Sequence, residues 1–172
     1  MDEANFKFSS FVIDGRRGIR QLLERRYKLP VQMCQFHQLQ IIKRYLSSRP
    51  KLQASKELKE IISKLTDTDE ISLKLQLEKW HNKWNSFISE KTVDINSNKW
   101  HYTHSKVCSA YRSISNNLPY LFTFKRYPDL NIPNTTNSCD SSFGHWKKKI
   151  EIHRGLRIKN KKKMINYLLE NS

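Results

Sequence analysis

The chain has 172 residues, and its 32 Lys and Arg against 16 Asp and Glu leave a formal charge of +16. A basic excess of that size points to a polyanionic partner, nucleic acid first, with a merely soluble basic protein as the plainer alternative. No apolar run approaches the roughly 18 residues that span a bilayer, which excludes a membrane span, and three widely spaced cysteines exclude a disulfide framework. The opening Met1-Asp2-Glu3-Ala4 carries acids where a secretory signal carries bases, so the expected location is cytoplasmic. Hydrophobic residues at 37% and only 4 glycines permit a packed and largely helical core the size of one ordinary domain.

In chain order, residues 8–13 read as a short strand ending at Asp14-Gly15. A helix with Ile19, Leu22 and Leu23 on one stripe follows. Pro30 breaks it, and residues 31–34 read as a second strand, so the opening is strand–helix–strand with the two strands parallel. From Phe36 to about Asn117 the pattern is helix after helix, carrying Leu39, Ile42 and Leu46, then Leu58, Ile61, Ile62 and Leu65. A long helix is predicted from Asp67, with Asp67, Asp69 and Glu70 in its first turn and a buried face of Trp80, Trp84, Phe87 and Ile88. Residues 96–98 read as a loop, and a helix from about His104 carries Val107, Tyr111 and Ile114. Pro119, Pro128 and Pro133 predict extended or looped chain over 118–135. Two final helices are predicted over 136–152 and 159–169, with Gly155 as a C-cap between them.

Two acids stand where chemistry is done. Asp14 ends a predicted strand, where a rigid backbone projects a side chain into the crevice beyond a parallel sheet, although Asp-Gly is also an ordinary turn. Asp140 lies near the start of a helix, where it is equally a capping acid reciprocal with Asn137. Cys34 and His37 form a Cys-x-x-His pair directly after the second strand. With His101 and His104 they would supply four zinc ligands, but the spacing fits no common zinc module. Lys147, Lys148, Lys149, Arg154, Arg157, Lys159, Lys161, Lys162 and Lys163 face one acid, Glu151. A one-signed cluster beside a candidate acid favours phosphate contact over a solvated face. Among the aromatics, helical spacing assigns Trp80 and Trp84 to the core. Trp100, beside a polar loop, is the better candidate for stacking on a base, with the core as its first expectation too.

The ordered set of short motifs resembles bacterial insertion-sequence transposases of the Mutator-like DDE group. It comprises Phe11-Val12-Ile13-Asp14-Gly15-Arg16-Arg17-Gly18, Cys34-Gln35-Phe36-His37, Trp100-His101-Tyr102-Thr103-His104, residues 118–124 (LPYLFTF), Ile132-Pro133-Asn134-Thr135-Thr136-Asn137-Ser138-Cys139-Asp140 and His153-Arg154-Gly155-Leu156. The resemblance implies an α/β, mostly helical class: a partial ribonuclease-H-like core interrupted by an all-α insertion. Residues 1–37 would be the strand–helix–strand part of that core and 38–117 the insertion. Residues 118–172 would be the closing part, with the third acid and the basic helices. It further implies that Asp14 and Asp140 are the second and third acids of a site that holds Mg²⁺ or Mn²⁺. Cys34 and His37 become an accessory motif. The partner is DNA, both transposon ends and target, with self-association allowed. Asp140 stands where Glu is usual, which keeps the charge and shortens the reach by one methylene.

The first acid of such a site lies on a strand of a preceding meander. Three strands and their turns need roughly 20 residues or more, and thirteen precede Asp14. The expectation is therefore a truncated transposase with its first catalytic acid missing, its own activity open. Alternatives from other classes are an inactive DNA-binding remnant and an unrelated zinc-stabilised nucleic-acid module.

Overall fold

A computed structural model describes residues 7–95, 97–153 and 155–170. Two units partition the chain, residues 1–135 and 136–172. The described residues are mostly helical, with eight α-helices and four short strands. None of their helices is long and apolar enough to cross a membrane.

The first unit opens with β1 (Phe11–Ile13), α1 (Arg17–Tyr27) and β2 (Val31–Met33). The strands pair in parallel with Phe11 opposite Val31 and Ile13 opposite Met33. This is the expected strand–helix–strand, with β1 shorter than the 8–13 predicted. The stripe on α1 does not reach a core: Ile19 is 42% exposed and Leu22 59%, and no residue of α1 is fully buried.

The core of the unit is helical, formed by α2 (Gln35–Leu46), α3 (Gln53–Ser63), α4 (Glu70–Ile88) and α5 (Ser105–Leu121). Ile42 and Leu46 of α2, Leu58 and Ile62 of α3, Leu73, Leu77 and Trp80 of α4, and Val107, Ile114 and Leu118 of α5 are buried together. These are the residues whose helical spacing gives each element one apolar face. Trp80 also donates its indole N–H to the Ala54 carbonyl at 3.0 Å, so the ring's polar edge is satisfied inside the core. Helix α4 starts three residues later than predicted. A short 3-10 turn covers Leu65–Asp67, and Asp69 caps the helix by accepting from the Ser72 amide at 2.9 Å. Between α4 and α5 lies a hairpin that the sequence reading missed, β3 (Lys91–Val93) antiparallel to β4 (Trp100–Tyr102).

The expectation of extended or looped chain over 118–135 holds for 131–135 and is corrected before it. Helix α5 runs through Pro119 to Leu121, followed by α6 (Thr123–Arg126) and a 3-10 turn at Pro128–Leu130. Proline inside a helix costs about 3 kcal/mol. Here it falls in the last turn, where Leu118, Leu121 and Phe122 are all buried and their burial offsets that cost.

The second unit is a pair of helices, α7 (Asn137–Ile152) and α8 (Ile158–Glu170), within a residue of the expected bounds. Helix α7 closes on His153, whose amide donates to the Ile150 carbonyl, rather than on Gly155. Phe143, Trp146 and Ile150 recur at helical spacing and line a cavity of about 220 Å³ with Lys147, Ile165 and Leu168.

Candidate functional site

Asp14 and the Cys34–His37 motif gather at one end of the parallel pair. Ile13 and Met33 are in register, so Asp14 and Cys34 each stand one residue beyond the carboxyl ends of adjacent strands. The Cys34 amide closes the ladder by donating to the Ile13 carbonyl at 2.8 Å. Gly15 is required at the turn: its φ is +97°, and a Cβ there would collide with the Met33 Cε. The turn reading of Asp14 also holds locally. Its Oδ1 accepts the Arg16 amide at 3.3 Å, and its Oδ2 lies 3.4 Å from the Arg16 Nε, with the carboxylate side chain 44% exposed. Cys34 is fully buried at the start of α2, and His37 follows one turn on, its ring edge-to-face with Phe36.

A set of amides that the sequence reading passed over fastens this end of the sheet. Gln32, Gln35 and Gln38 are all buried. Gln32 Nε2 donates to the carbonyls of Met33 (2.7 Å) and Leu121 (2.9 Å), and its Oε1 accepts the Phe124 amide at 3.0 Å. Gln35 Nε2 donates to Leu121 O at 3.0 Å, and Thr123 Oγ1 donates to Val31 O at 2.9 Å. Two carbonyls of β2, those of Val31 and Met33, are thus taken up by side chains. Gln38 continues the set, accepting from Asn117 at 2.9 Å, and Asn117 in turn accepts from Arg20 at 3.2 Å. Asn134 joins from the far end of the unit. Its carbonyl accepts the Gln35 amide at 2.9 Å, satisfying an otherwise orphan donor at the start of α2, and its Nδ2 donates to Gln35 Oε1 at 3.1 Å. The chain therefore leaves the first unit beside the carboxyl ends of β1 and β2. The available signal was three glutamines at three-residue spacing across a strand-to-helix junction.

In the second unit Asp140 occupies the first turn of α7. Its partner is Thr136, not Asn137: Thr136 Oγ1 donates to Asp140 Oδ2 at 2.8 Å, and the Asp140 amide donates to the Thr136 carbonyl at 2.9 Å. Asn137 is already the first residue of α7 and Thr136 stands at the cap position, so the pair with Asp140 forms from Thr136. Lys147, Lys148, Lys149, Arg157, Lys159, Lys162 and Lys163 are exposed, and Lys161 is half-buried on the packed side of α8. Arg154 lies outside the described residues. Lys147 is seven residues from Asp140 and shares its face, whereas Lys149 points nearly opposite at 100° per residue.

Among the described residues no group of three or more His, Cys, Asp or Glu is placed to hold a metal. His104 accepts or donates a hydrogen bond with Glu90 at 3.0 Å and stacks on Phe87. Asp14 and Asp140 are each exposed carboxylates, hard oxygen donors of the kind divalent cations take, Asp14 engaged by Arg16 and Asp140 by Thr136. Comparison of the chain with protein-family models, with curated proteins and with solved structures gave no match.

Proposed function

We propose that the chain belongs to a DDE-type DNA transposase. In this reading Asp14 and Asp140 are two of three metal-binding carboxylates on a ribonuclease-H-like core, and α7 and α8 hold the DNA backbone. The observation that carries the reading is the parallel pair itself. It sets Asp14, Cys34 and His37 at one end of two registered strands, and the Gln35–Asn134 clamp returns the chain to that end just before the helix bearing Asp140. A carboxylate at a parallel strand's carboxyl end lies where ligands of α/β sheets bind.

Asp14 and Asp140 would hold Mg²⁺ or Mn²⁺, which polarises the scissile phosphate and activates the attacking oxygen when bound. Arg16 competes with that cation for Asp14 in the free chain. Lysine, a flexible point charge, suits backbone contact better than base reading, so binding by the exposed cations of α7 and α8 is independent of sequence. The test is duplex affinity as a function of salt. Six phosphate contacts give a loss on the order of 10³ in affinity between 50 and 200 mM salt. Changing the three exposed residues Lys159, Lys162 and Lys163 to Ala should weaken every duplex alike and flatten the logarithmic slope by about two to three units. An unchanged slope would remove α8 from the interface.

A further inference from the structure

The hairpin between α4 and α5 presents an aromatic face to solvent. Alternation along a strand puts Lys91 and Val93 on the same side as their partners Tyr102 and Trp100, with Thr92 and His101 opposite. On that side Lys91 Nζ lies 4.2 Å from the centre of the Trp100 ring, and Trp100 meets Tyr102 edge-to-face at 5.6 Å. The Arg112 guanidinium from α5 covers Tyr102 at 4.8 Å. The strip thus runs cation, indole, phenol, cation. Tyr102 is half-buried against the core, while Trp100 is 56% exposed and Val93 is also 56% exposed. The sequence expectation of Trp100 in the core is therefore corrected, because a strand of three residues carries the ring off the helical body.

The root of the hairpin is fixed. The Thr103 amide donates to the Glu90 carbonyl at 3.0 Å, the Thr92 and Thr103 hydroxyls pair at 2.7 Å, and His104 is held between Glu90 and Phe87. The cations on the strip are Lys91 and Arg112. The acids Glu90 and Asp94 are engaged with His104 and with the Ser97 amide. An exposed indole on a fixed support, flanked by cations, matches the chemistry of an unpaired base with its phosphate. Base–aromatic stacking is tolerant of sequence, and a cation held on the ring can meet the adjoining backbone. Duplex DNA offers no free base face and has no use for the indole.

We propose that the β3–β4 hairpin is a binding site for single-stranded nucleic acid, in which one unpaired base stacks on Trp100 and the neighbouring phosphates meet Lys91 and Arg112. The proposal takes a nucleic-acid partner from the function proposed above, and none of its carboxylates. The experiment is fluorescence anisotropy of the full chain with labelled oligothymidylate and with a duplex of equal length, at one low salt concentration. Trp100→Ala should lower affinity for the single strand about tenfold and leave the duplex within about twofold, and Trp100→Phe should retain most of the single-strand affinity. Circular dichroism of both variants should match the parent, since the ring is exposed. Equal single-strand affinity of parent and Trp100→Ala would overturn the site and turn the hairpin into a protein contact. Equal loss on both ligands would overturn it too. If instead Trp100→Ala behaves as expected but the Lys159, Lys162 and Lys163 change leaves duplex binding intact, the hairpin site stands and the helical interface fails.

Discussion

Replacing Gln32 with Leu tests whether the amide set fastens the sheet to the helical core. The side chain is fully buried and serves three backbone groups, the Met33 and Leu121 carbonyls and the Phe124 amide. Leucine fills similar volume but leaves the Phe124 amide and the Met33 carbonyl without this partner, while Leu121 O keeps Gln35. An orphaned buried group costs about 1–3 kcal/mol, so two cost about 2–6 kcal/mol. The extra apolar burial returns about 1 kcal/mol. The expected net loss is about 1–5 kcal/mol, a large part of a typical domain stability of about 5–15 kcal/mol. Urea unfolding followed by far-ultraviolet circular dichroism reads it directly as a lower midpoint at unchanged slope. A loss below about 0.5 kcal/mol, the range of an ordinary surface change, would refute the idea that these bonds hold β2 against α5 and α6.

Other predictions follow from single groups. Hydrogen bonds from Lys83 first, then Trp84, hold the Glu57 carboxyl down at about 2 and join α3 to α4. A lowered carboxyl contributes stability that is present above its unfolded value of about 4.3 and is lost as pH falls towards 2. Because Lys83 is largely exposed, Glu57→Gln should cost only about 1 kcal/mol at neutral pH, a gap that closes on acidification; a gap constant with pH would contradict the ion pair. A thiol reagent should modify Cys139 quickly and reach Cys34 and Cys108 only on unfolding, since the first is exposed and the others buried. Burial also pushes the Cys108 thiol up, and it donates to the Ile88 carbonyl; two fast-reacting thiols would contradict this packing. The 172-residue chain alone should leave supercoiled plasmid uncut in Mg²⁺ or Mn²⁺, because only two carboxylates are assigned to the site. Metal-dependent nicking lost in Asp14→Asn would show that two suffice.

Periodicity in the sequence was enough to reveal what it encodes at long range. Ile42 and Leu46, Leu58 and Ile62, and Trp80 repeat over several turns, and each lies in the helical core. The basic helices were legible because Pro133 and the residues around Gly155 bound them. Short-range features were not. Strands of three residues carry no alternation long enough to recognise, which hid β3 and β4 and cut β1 from its predicted six. Pro119 misled because tertiary burial of Leu118, Leu121 and Phe122 outweighs a local penalty. At the candidate site the acids and the Cys–His motif drew attention by chemical type. The glutamines that fasten β2 to α5 and α6 look polar and ordinary, and their burial depends on carbonyls contributed about 90 residues away. Ile19 and Leu22 failed in the other direction: a helical stripe shows which residues could face a core, and α1 has no layer over that face among the described residues.

The proposed function assigns Asp14 and Asp140 to one metal site on DNA. Electron paramagnetic resonance of Mn²⁺ titrated into the chain bound to duplex DNA measures it directly. The expected result is a bound Mn²⁺ signal that is lost in Asp14→Asn and lost again in Asp140→Asn, with DNA affinity retained in both. Mn²⁺ binding that survives either change would contradict a shared site.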